Sequence, residues 1–309
     1  MRYDANFKTS QLIYGTLTLG PLQKNLSIAD GSNCILHAYE SGINTFDTAQ
    51  YYKTYPYLRE VVKKDPTVII SSKSYAYDTV TATRAVEECM REIGRDYIDF
   101  FLMHEQESEH TLRGHKEALD TYLEYQRKGY IGHLGVSTHC IAGVKGMLRY
   151  PELEILHPMI NKIGMGIVDG GREEMERVLQ IAHQQGRFIY GMKLLAGGNL
   201  IQERESALDY GLSLPFLDGV ALGMSSNEEI DYNVAYCEGD RAAAEKAGAQ
   251  IKSKELFIER WCIGCGECVS RCQQGALSVS DGQCEVDRHK CVLCGYCAPA
   301  CPEFAIKVI

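Results

Sequence analysis

Residues 43–49 read "INTFDTA", and whether this run is a strand decides the fold. It is short and apolar at its start, it closes on a carboxylate at Asp47, and it reads as a buried strand with a charged tip. Seven further runs have the same character: "LIYGTLTLG" (12–20), "TVIISSKS" (67–74), "DYIDFFLMH" (96–104), "IGHLGVST" (131–138), "EILHPMINKI" (154–163), "RFIYGMKLLA" (187–196) and "GVALGMSS" (219–226). Between them apolar residues recur at helical spacing. Ala82, Val86, Cys89, Met90 and Ile93 share one face, as do Met175, Val178, Leu179 and Ala182. Eight strands, each followed by a helix, predict an α/β protein of the (β/α)8 TIM-barrel class over residues 1–236. A doubly wound open sheet would favour a G-x-G-x-x-G turn after the first strand, and "YGTLTLG" is not one.

In such a barrel chemistry sits at the C-terminal ends of the strands. Three consecutive ends carry Asp47, Lys73 and His104, and Tyr52 lies five residues beyond Asp47. A phenol is a poor acid near neutral pH, and a neighbouring ammonium would lower its pKa and make Tyr52 a general acid. Asp47 would keep Lys73 charged through an ion pair, and His104 would orient a carbonyl. This set protonates a carbonyl oxygen while hydride arrives at carbon.

Thirteen cysteines are unevenly placed: four are scattered, and nine lie between Cys262 and Cys301. A Cys-dense tail behind a Cys-poor body points to metal binding in a reducing compartment rather than to disulfides. "CIGCGECVSRC" (262–272) is C-x2-C-x2-C-x3-C, and the pattern returns 29 residues later as "CVLCGYCAPACP". Three thiolates wrap three corners of an iron–sulfur cube, and the fourth cysteine of each run ligates the other cube. The spacing assigns Cys262, Cys265, Cys268 and Cys301 to one [4Fe–4S] cluster, and Cys291, Cys294, Cys297 and Cys272 to the second. Structural zinc, the alternative, favours separated Cys pairs or mixed Cys/His sets. "GALSVSDGQCEVDRHK" reads as a hairpin around Asp281-Gly282, with Cys284 packed rather than ligating, and "LFIE" can pair with "FAIKVI". Residues 256–309 resemble a bacterial-type two-cluster ferredoxin domain, a small α+β iron–sulfur unit, with Gln273 where many such domains have Pro.

The net charge of −9 has no basic block to set against it, so no nucleic-acid partner is expected. "MRYDANFKTSQLIYG" lacks the pattern of a signal peptide, and no apolar run approaches a membrane span, so the expectation is a cytoplasmic protein.

With these residues in view, positions 8–236 resemble the aldo-keto reductase family, in the branch that carries a C-terminal two-cluster ferredoxin domain. "GINTFDTAQYY" is similar to its Asp-and-Tyr motif, and Asp47, Tyr52, Lys73 and His104 match its catalytic tetrad. The resemblance implies a nicotinamide cofactor and a small carbonyl substrate. It places Ser137 and Thr138 of "LGVSTH" and Asn161 at the nicotinamide carboxamide. Met192 stands where an aromatic usually stacks on the ring. Lys193 faces the pyrophosphate or solvent, and Ser225, Glu229 and Asn233 lie in the segment after strand eight. Glu229 stands at the usual Arg, where a carboxylate repels a 2′-phosphate and can accept from a 2′-hydroxyl, so among NAD(P)H forms NADH is favoured. Cys140, two residues beyond Thr138, reads as a small core residue rather than a reactive thiol.

Residues 237–255, "CEGDRAAAEKAGAQIKSKE", read as a helical connector that would dock the tail against the open strand ends. Hydride carries two electrons and each cluster takes one, so a flavin is the natural converter. The leading expectation is a hydride-transfer carbonyl reductase wired through its clusters to a redox protein partner. Three alternatives stay open: a flavin held at strands seven and eight, a reductase with structural or oxygen-sensing clusters, and an adaptor whose barrel only docks partners.

Overall fold

The computed structural model describes residues 7–252 and 254–309; the first six residues of the expected barrel segment and Ser253 of the expected connector lie outside them. Eight parallel strands close into a barrel: β1 (Leu12–Gly15), β2 (Thr45–Asp47), β3 (Ile69–Ser74), β4 (Ile98–Met103), β5 (Ile131–Thr138), β6 (Leu153–Pro158), β7 (Phe188–Met192) and β8 (Gly219–Gly223). β8 returns to β1 in register, Leu12 to Val220 through Gly15 to Gly223. All eight expected strands are present, and closure excludes the open doubly wound sheet.

Several expected runs overshoot their strands at the C-terminal tip, where the chain must leave the barrel. β7 stops at Met192 because Lys193 takes a left-handed φ of 62°, which turns the backbone away. β8 gives way to a helix, Asn227–Glu238, which Ser226 caps by accepting from Glu229 N–H. The two helical faces read from sequence are buried within Thr79–Ile93 and Arg172–Gln184, apart from Met90, which is half-buried. Ile13, Ile69, Phe100, Leu102, Ile155 and Phe188 fill the barrel interior. Phe7 closes the N-terminal end edge-on to Phe100, with ring centroids 5.6 Å apart. Each such large side chain taken out of water stabilises the fold by about 1.5–3 kcal/mol. The floor is therefore sealed, and open space is left at the strands' C-terminal ends.

The expected connector opens on the end of the helix after β8 and contains one further helix. The first runs through to Glu238 and ends on left-handed Gly239, and the second spans Arg241–Gly248. Beyond it β9 (Leu256–Ile258) pairs antiparallel with a last strand, while β10 (Leu277–Ser280) and β11 (Gln283–Val286) form the expected hairpin. Asp281 and Gly282 both have positive φ, 47° and 76°, the two-residue turn that matches strand twist. The last strand, β12 (Ile306–Val308), is the expected partner of "LFIE".

This tail docks on the loop after β7. Val308 N–H donates to the Gly197 carbonyl at 2.9 Å, and Asn199 Nδ2 donates to the Ile306 carbonyl at 3.0 Å. Gly197 and Gly198 make the approach possible. A Cβ on Gly198 would lie 1.9 Å from the Val308 oxygen, and its φ of 86° independently disfavours other residues. The tail thus roofs the open strand ends. Gly198→Ala should part the two: amide exchange at Val308 and its neighbours should accelerate roughly tenfold or more, while β1–β8 exchange as before. Unchanged protection at Val308 would mean that other contacts hold the roof in place.

Candidate active site and cysteine cradles

β2 and β3 are neighbours, with Asp47 in register with Ser71, and this sets the Asp47 carboxylate beside the Lys73 side chain. Lys73 Nζ donates to Asp47 Oδ1 at 2.8 Å, to Oδ2 at 2.7 Å and to the Thr48 carbonyl at 2.8 Å. All three ammonium donors are met, as a fully buried lysine requires. Tyr190 OH adds a bond to Asp47 Oδ1 at 2.9 Å, and the His157 ring stacks on Tyr190 at 4.0 Å. Tyr52 ends a single helical turn after β2, and Lys73 Nζ lies 5.0 Å from its ring centroid. The His104 ring meets Tyr52 edge-on at 5.7 Å and stacks on Tyr75 at 4.2 Å.

The electrostatics differ from the expectation for Tyr52. Burial, then the negative charges of Asp47 and Glu105, hold its phenol well above its ordinary pKa. The Lys73 charge is committed to Asp47 and faces the ring rather than being free to draw the phenol down. Burial also lowers Lys73, against the opposing pull of Asp47. Burial and the Lys73 charge keep His104 well below the usual imidazole range, hence neutral near pH 7. Its Nδ1 is buried without a hydrogen-bond partner among the described residues.

Asp47, Tyr52, Lys73 and His104 all line one cavity of about 690 Å³ at the barrel mouth, whose opposite wall includes Trp261, Phe304 and Lys307 from the tail. The residues expected around a cofactor divide. Met192, Lys193, Ser225, Glu229 and Asn233 stand on the cavity wall. Ser137, Thr138 and Asn161 do not; they are fully buried and bonded to their own chain. Ser137 Oγ accepts from Glu105 N–H at 2.9 Å, Thr138 Oγ1 from Cys140 N–H at 2.9 Å, and Asn161 Nδ2 donates to the Met165 carbonyl at 2.8 Å. The residues expected on the phosphate side therefore face open space, and those expected at the carboxamide do not. Glu229 is engaged too: its Oε2 accepts from Ser225 N–H at 2.8 Å, and Oε1 meets Lys254 from the expected connector. Cys140 is buried, and that burial pushes its thiol up to about 11, in keeping with a core residue.

Sequence reasoning missed His139, His157, Tyr190, Phe304 and Lys307. The signal for His157 and Tyr190 was a polar group inside an apolar strand, "EILHPMINKI" and "RFIYGMKLLA". For Phe304 and Lys307 there was none, since only the docking of the tail brings them to the barrel.

In the tail, Cys262, Cys265, Cys268 and Cys301 surround one small void. Both cysteine runs use the same backbone. Gly264 and Leu293 have φ of 63° and 54°, Gly266 and Gly295 of 78° and 79°, and Gly275 and Phe304 of 59° and 47°. In each run an N–H four residues past the last cysteine points at that cysteine's sulfur: Ala276 to Cys272 and Ala305 to Cys301, both at 3.2 Å. Cys284 N–H donates to Cys262 Sγ at 3.4 Å. An all-thiol donor set with N–H groups aimed at its sulfurs fits an iron–sulfur cube. Cys284 itself is buried, with its sulfur 3.5 Å from that of Cys268.

Residues 11–209 match the model of the aldo/keto reductase family, and residues 261–307 match that of the 4Fe-4S dicluster domain. The chain belongs to the aldo/keto reductase family and carries a C-terminal dicluster ferredoxin domain. An aldo-keto reductase from Bacillus halodurans, in its holo form, superposes with a TM-score of 0.63 at 19% identity, over 77% of this chain and 92% of that one. A subunit of the ion-translocating oxidoreductase complex of Methanosarcina acetivorans is 39% identical over 57 residues, 18% of this chain and 22% of that protein's length. The pyruvate synthase subunit PorD of Methanothermobacter marburgensis is 35% identical over 63 residues, 20% of this chain and 74% of that protein.

Lys73→Met leaves Asp47 buried without its cation and should lower unfolding free energy by about 3–5 kcal/mol, while Asp47→Asn combined with Lys73→Met should recover much of the loss. Denaturant melts of the single and double variants decide it; additive losses would mean that the pair is not coupled. In the tail, Cys284→Ala should keep the iron content of the reconstituted protein, about eight atoms per chain for two cubes, whereas Cys265→Ala should lose it in part. Equal losses would make Cys284 a ligand.

Proposed function

We propose that this oxidoreductase transfers hydride between a nicotinamide and a small carbonyl or alcohol, and exchanges single electrons with a redox protein through two [4Fe–4S] clusters. Tyr52 gives its proton to the carbonyl oxygen. Lys73, held by Asp47, lies against the Tyr52 ring and holds it in place for that transfer. Neutral His104 steers the carbonyl, and its unpartnered Nδ1 is a site that a bound oxygen or water would complete. The observation that carries the reading is the convergence of these four side chains on one cavity wall.

Cys262, Cys265, Cys268 and Cys301 hold one cluster, and Cys291, Cys294, Cys297 and Cys272 the other. We take residues 1–236, 237–255 and 256–309 as barrel, connector and ferredoxin unit, working in the cytoplasm. No helix among the described residues is long and apolar enough to cross a membrane. The names of the two relatives matched over short stretches, both subunits of larger redox assemblies, support a protein partner. When bound, a nicotinamide supplies two electrons as hydride and each cluster takes one, so a flavin, bound or borrowed, would join the two. Met192, Ser225 and Asn233 would hold the nicotinamide, with NADH favoured because Lys254 is already committed to Glu229.

One observation favours a second reading. With Ser137, Thr138 and Asn161 turned inward, the open wall at β7 and β8 suits a flavin bound by its phosphate as well as it suits a nicotinamide.

Tyr52→Phe should cut turnover by roughly 10²- to 10⁴-fold with the cluster absorbance intact. Because burial keeps the phenol protonated, carbonyl reduction should be flat between about pH 7 and about pH 9, and alcohol oxidation should rise across that range. Unchanged electron transfer in Tyr52→Phe would point to a docking adaptor instead. An anaerobic titration with NADH and NADPH, followed by denaturation, separates the cofactors. Tighter NADH with no released flavin agrees with the first reading, released flavin with the second, and tighter NADPH defeats the role given to Glu229.

A further inference from the structure

Two lysines 114 residues apart in the chain line the same cavity. Lys193, just past β7, and Lys307, in β12, both stand over the ring of Phe304, with Nζ 5.2 and 3.1 Å from its centroid. Among the described residues neither ammonium lies within 4.0 Å of a carboxylate oxygen. Lys193 Nζ is 2.9 Å from His139 Nε2, and that nitrogen is 3.6 Å from Glu105. Lys307 rests on the Phe304 carbonyl and is only 4% exposed; burial and the Lys193 charge push it well below the ordinary lysine range, against the opposing pull of Glu259. Cations placed out of water without a paired anion are costly, and they persist where something regularly completes them.

The backbone is arranged to keep them there. Lys193 and Phe304 both hold left-handed φ, 62° and 47°, where an L side chain is strained. The position matching Phe304 in the other cysteine run is Gly275, which adopts the same conformation freely. A bulky ring stands where glycine would be relaxed, and both ammonium groups lie over it. Gly197 makes room for Lys307, since a Cβ there would lie 2.7 Å from Lys307 Cδ. His139 follows the end of β5 and Glu105 follows His104, so the cluster adjoins the catalytic end of the cavity.

We propose that Lys193, aligned by its hydrogen bond to His139, and Lys307 form an oxyanion subsite, half of it supplied by the iron–sulfur domain, which takes the carboxylate of a substrate whose carbonyl faces Tyr52. The substrate class is then an oxo acid rather than a neutral aldehyde or ketone. This rests on the carbonyl chemistry given to Tyr52 above, but binding can be measured without turnover.

Anaerobic calorimetry on the full, iron-replete chain would use 2-oxobutanoate as the probe, butanone as its neutral counterpart and inorganic diphosphate as competitor. The oxo acid should bind the native protein, and Lys193→Met and Lys307→Met should each weaken it roughly tenfold or more. Lys307→Arg should retain most of the affinity, and butanone should respond to none of these changes. Visible absorbance checks that the clusters survive. Equal weakening of butanone would reduce the lysines to wall packing and overturn the proposal. Diphosphate that displaces NADH but not the oxo acid would overturn it too, by assigning the cations to the cofactor's phosphates. In a Tyr52→Phe background, Lys193→Met and Lys307→Met should still weaken oxo-acid binding by the same factor. If Tyr52→Phe also turns over normally, the proposed reaction fails while the subsite stands.

Discussion

The Lys73 ammonium lies wholly out of water and gives its three N–H bonds to Asp47 and the Thr48 carbonyl, while Asp47 takes a further bond from Tyr190. Neither charge could be buried alone, since a lone ion in a barrel interior costs several kcal/mol. Together they fix the tips of β2 and β3 against each other and tie in β7 through Tyr190. Tyr52 reaches the same cavity because a single helical turn follows Asp47, and its ring lies against the satisfied ammonium. The reacting face of the molecule is thus an electrostatic arrangement first and a pocket second.

The upper half of that pocket comes from elsewhere in the chain. The ferredoxin unit reaches over the barrel mouth through Gly197 and Gly198, whose missing side chains let β12 approach backbone to backbone. Phe304, three residues after Cys301, enters the cavity from one of the cysteine cradles, and Lys254 reaches down to Glu229. Barrel and tail therefore share one wall of the site, and neither has a complete pocket alone.

Much of this was legible from sequence. Apolar strand runs tipped by Asp47, Lys73 and His104 carry both the barrel and its reacting end, because strand period and strand polarity are local properties. The doubled cysteine run and the Asp281-Gly282 hairpin were readable for the same reason: ligand spacing and positive φ are written in neighbouring residues. Where the reading stopped short, the cause was tertiary. The burial that raises the Tyr52 phenol arises from elements far apart in sequence, and so does the inward turn of Ser137, Thr138 and Asn161. Lys307 lies 114 residues from Lys193 and reads as an ordinary strand lysine until the tail docks. Glu229 looked like a free carboxylate because its partner, Lys254, belongs to the connector.

Trp261 is the chain's one tryptophan, and it sits on the cavity wall beside Cys262, with its indole N–H on the Glu303 carbonyl at 3.1 Å. Glu303 lines both the cavity and the void enclosed by Cys262, Cys265, Cys268 and Cys301. A lone emitter in that position is a built-in optical gauge. An iron–sulfur chromophore held by those cysteines would absorb across indole emission, so its assembly would darken Trp261 and its loss would restore the light. No label has to be added to follow the maturation of the protein.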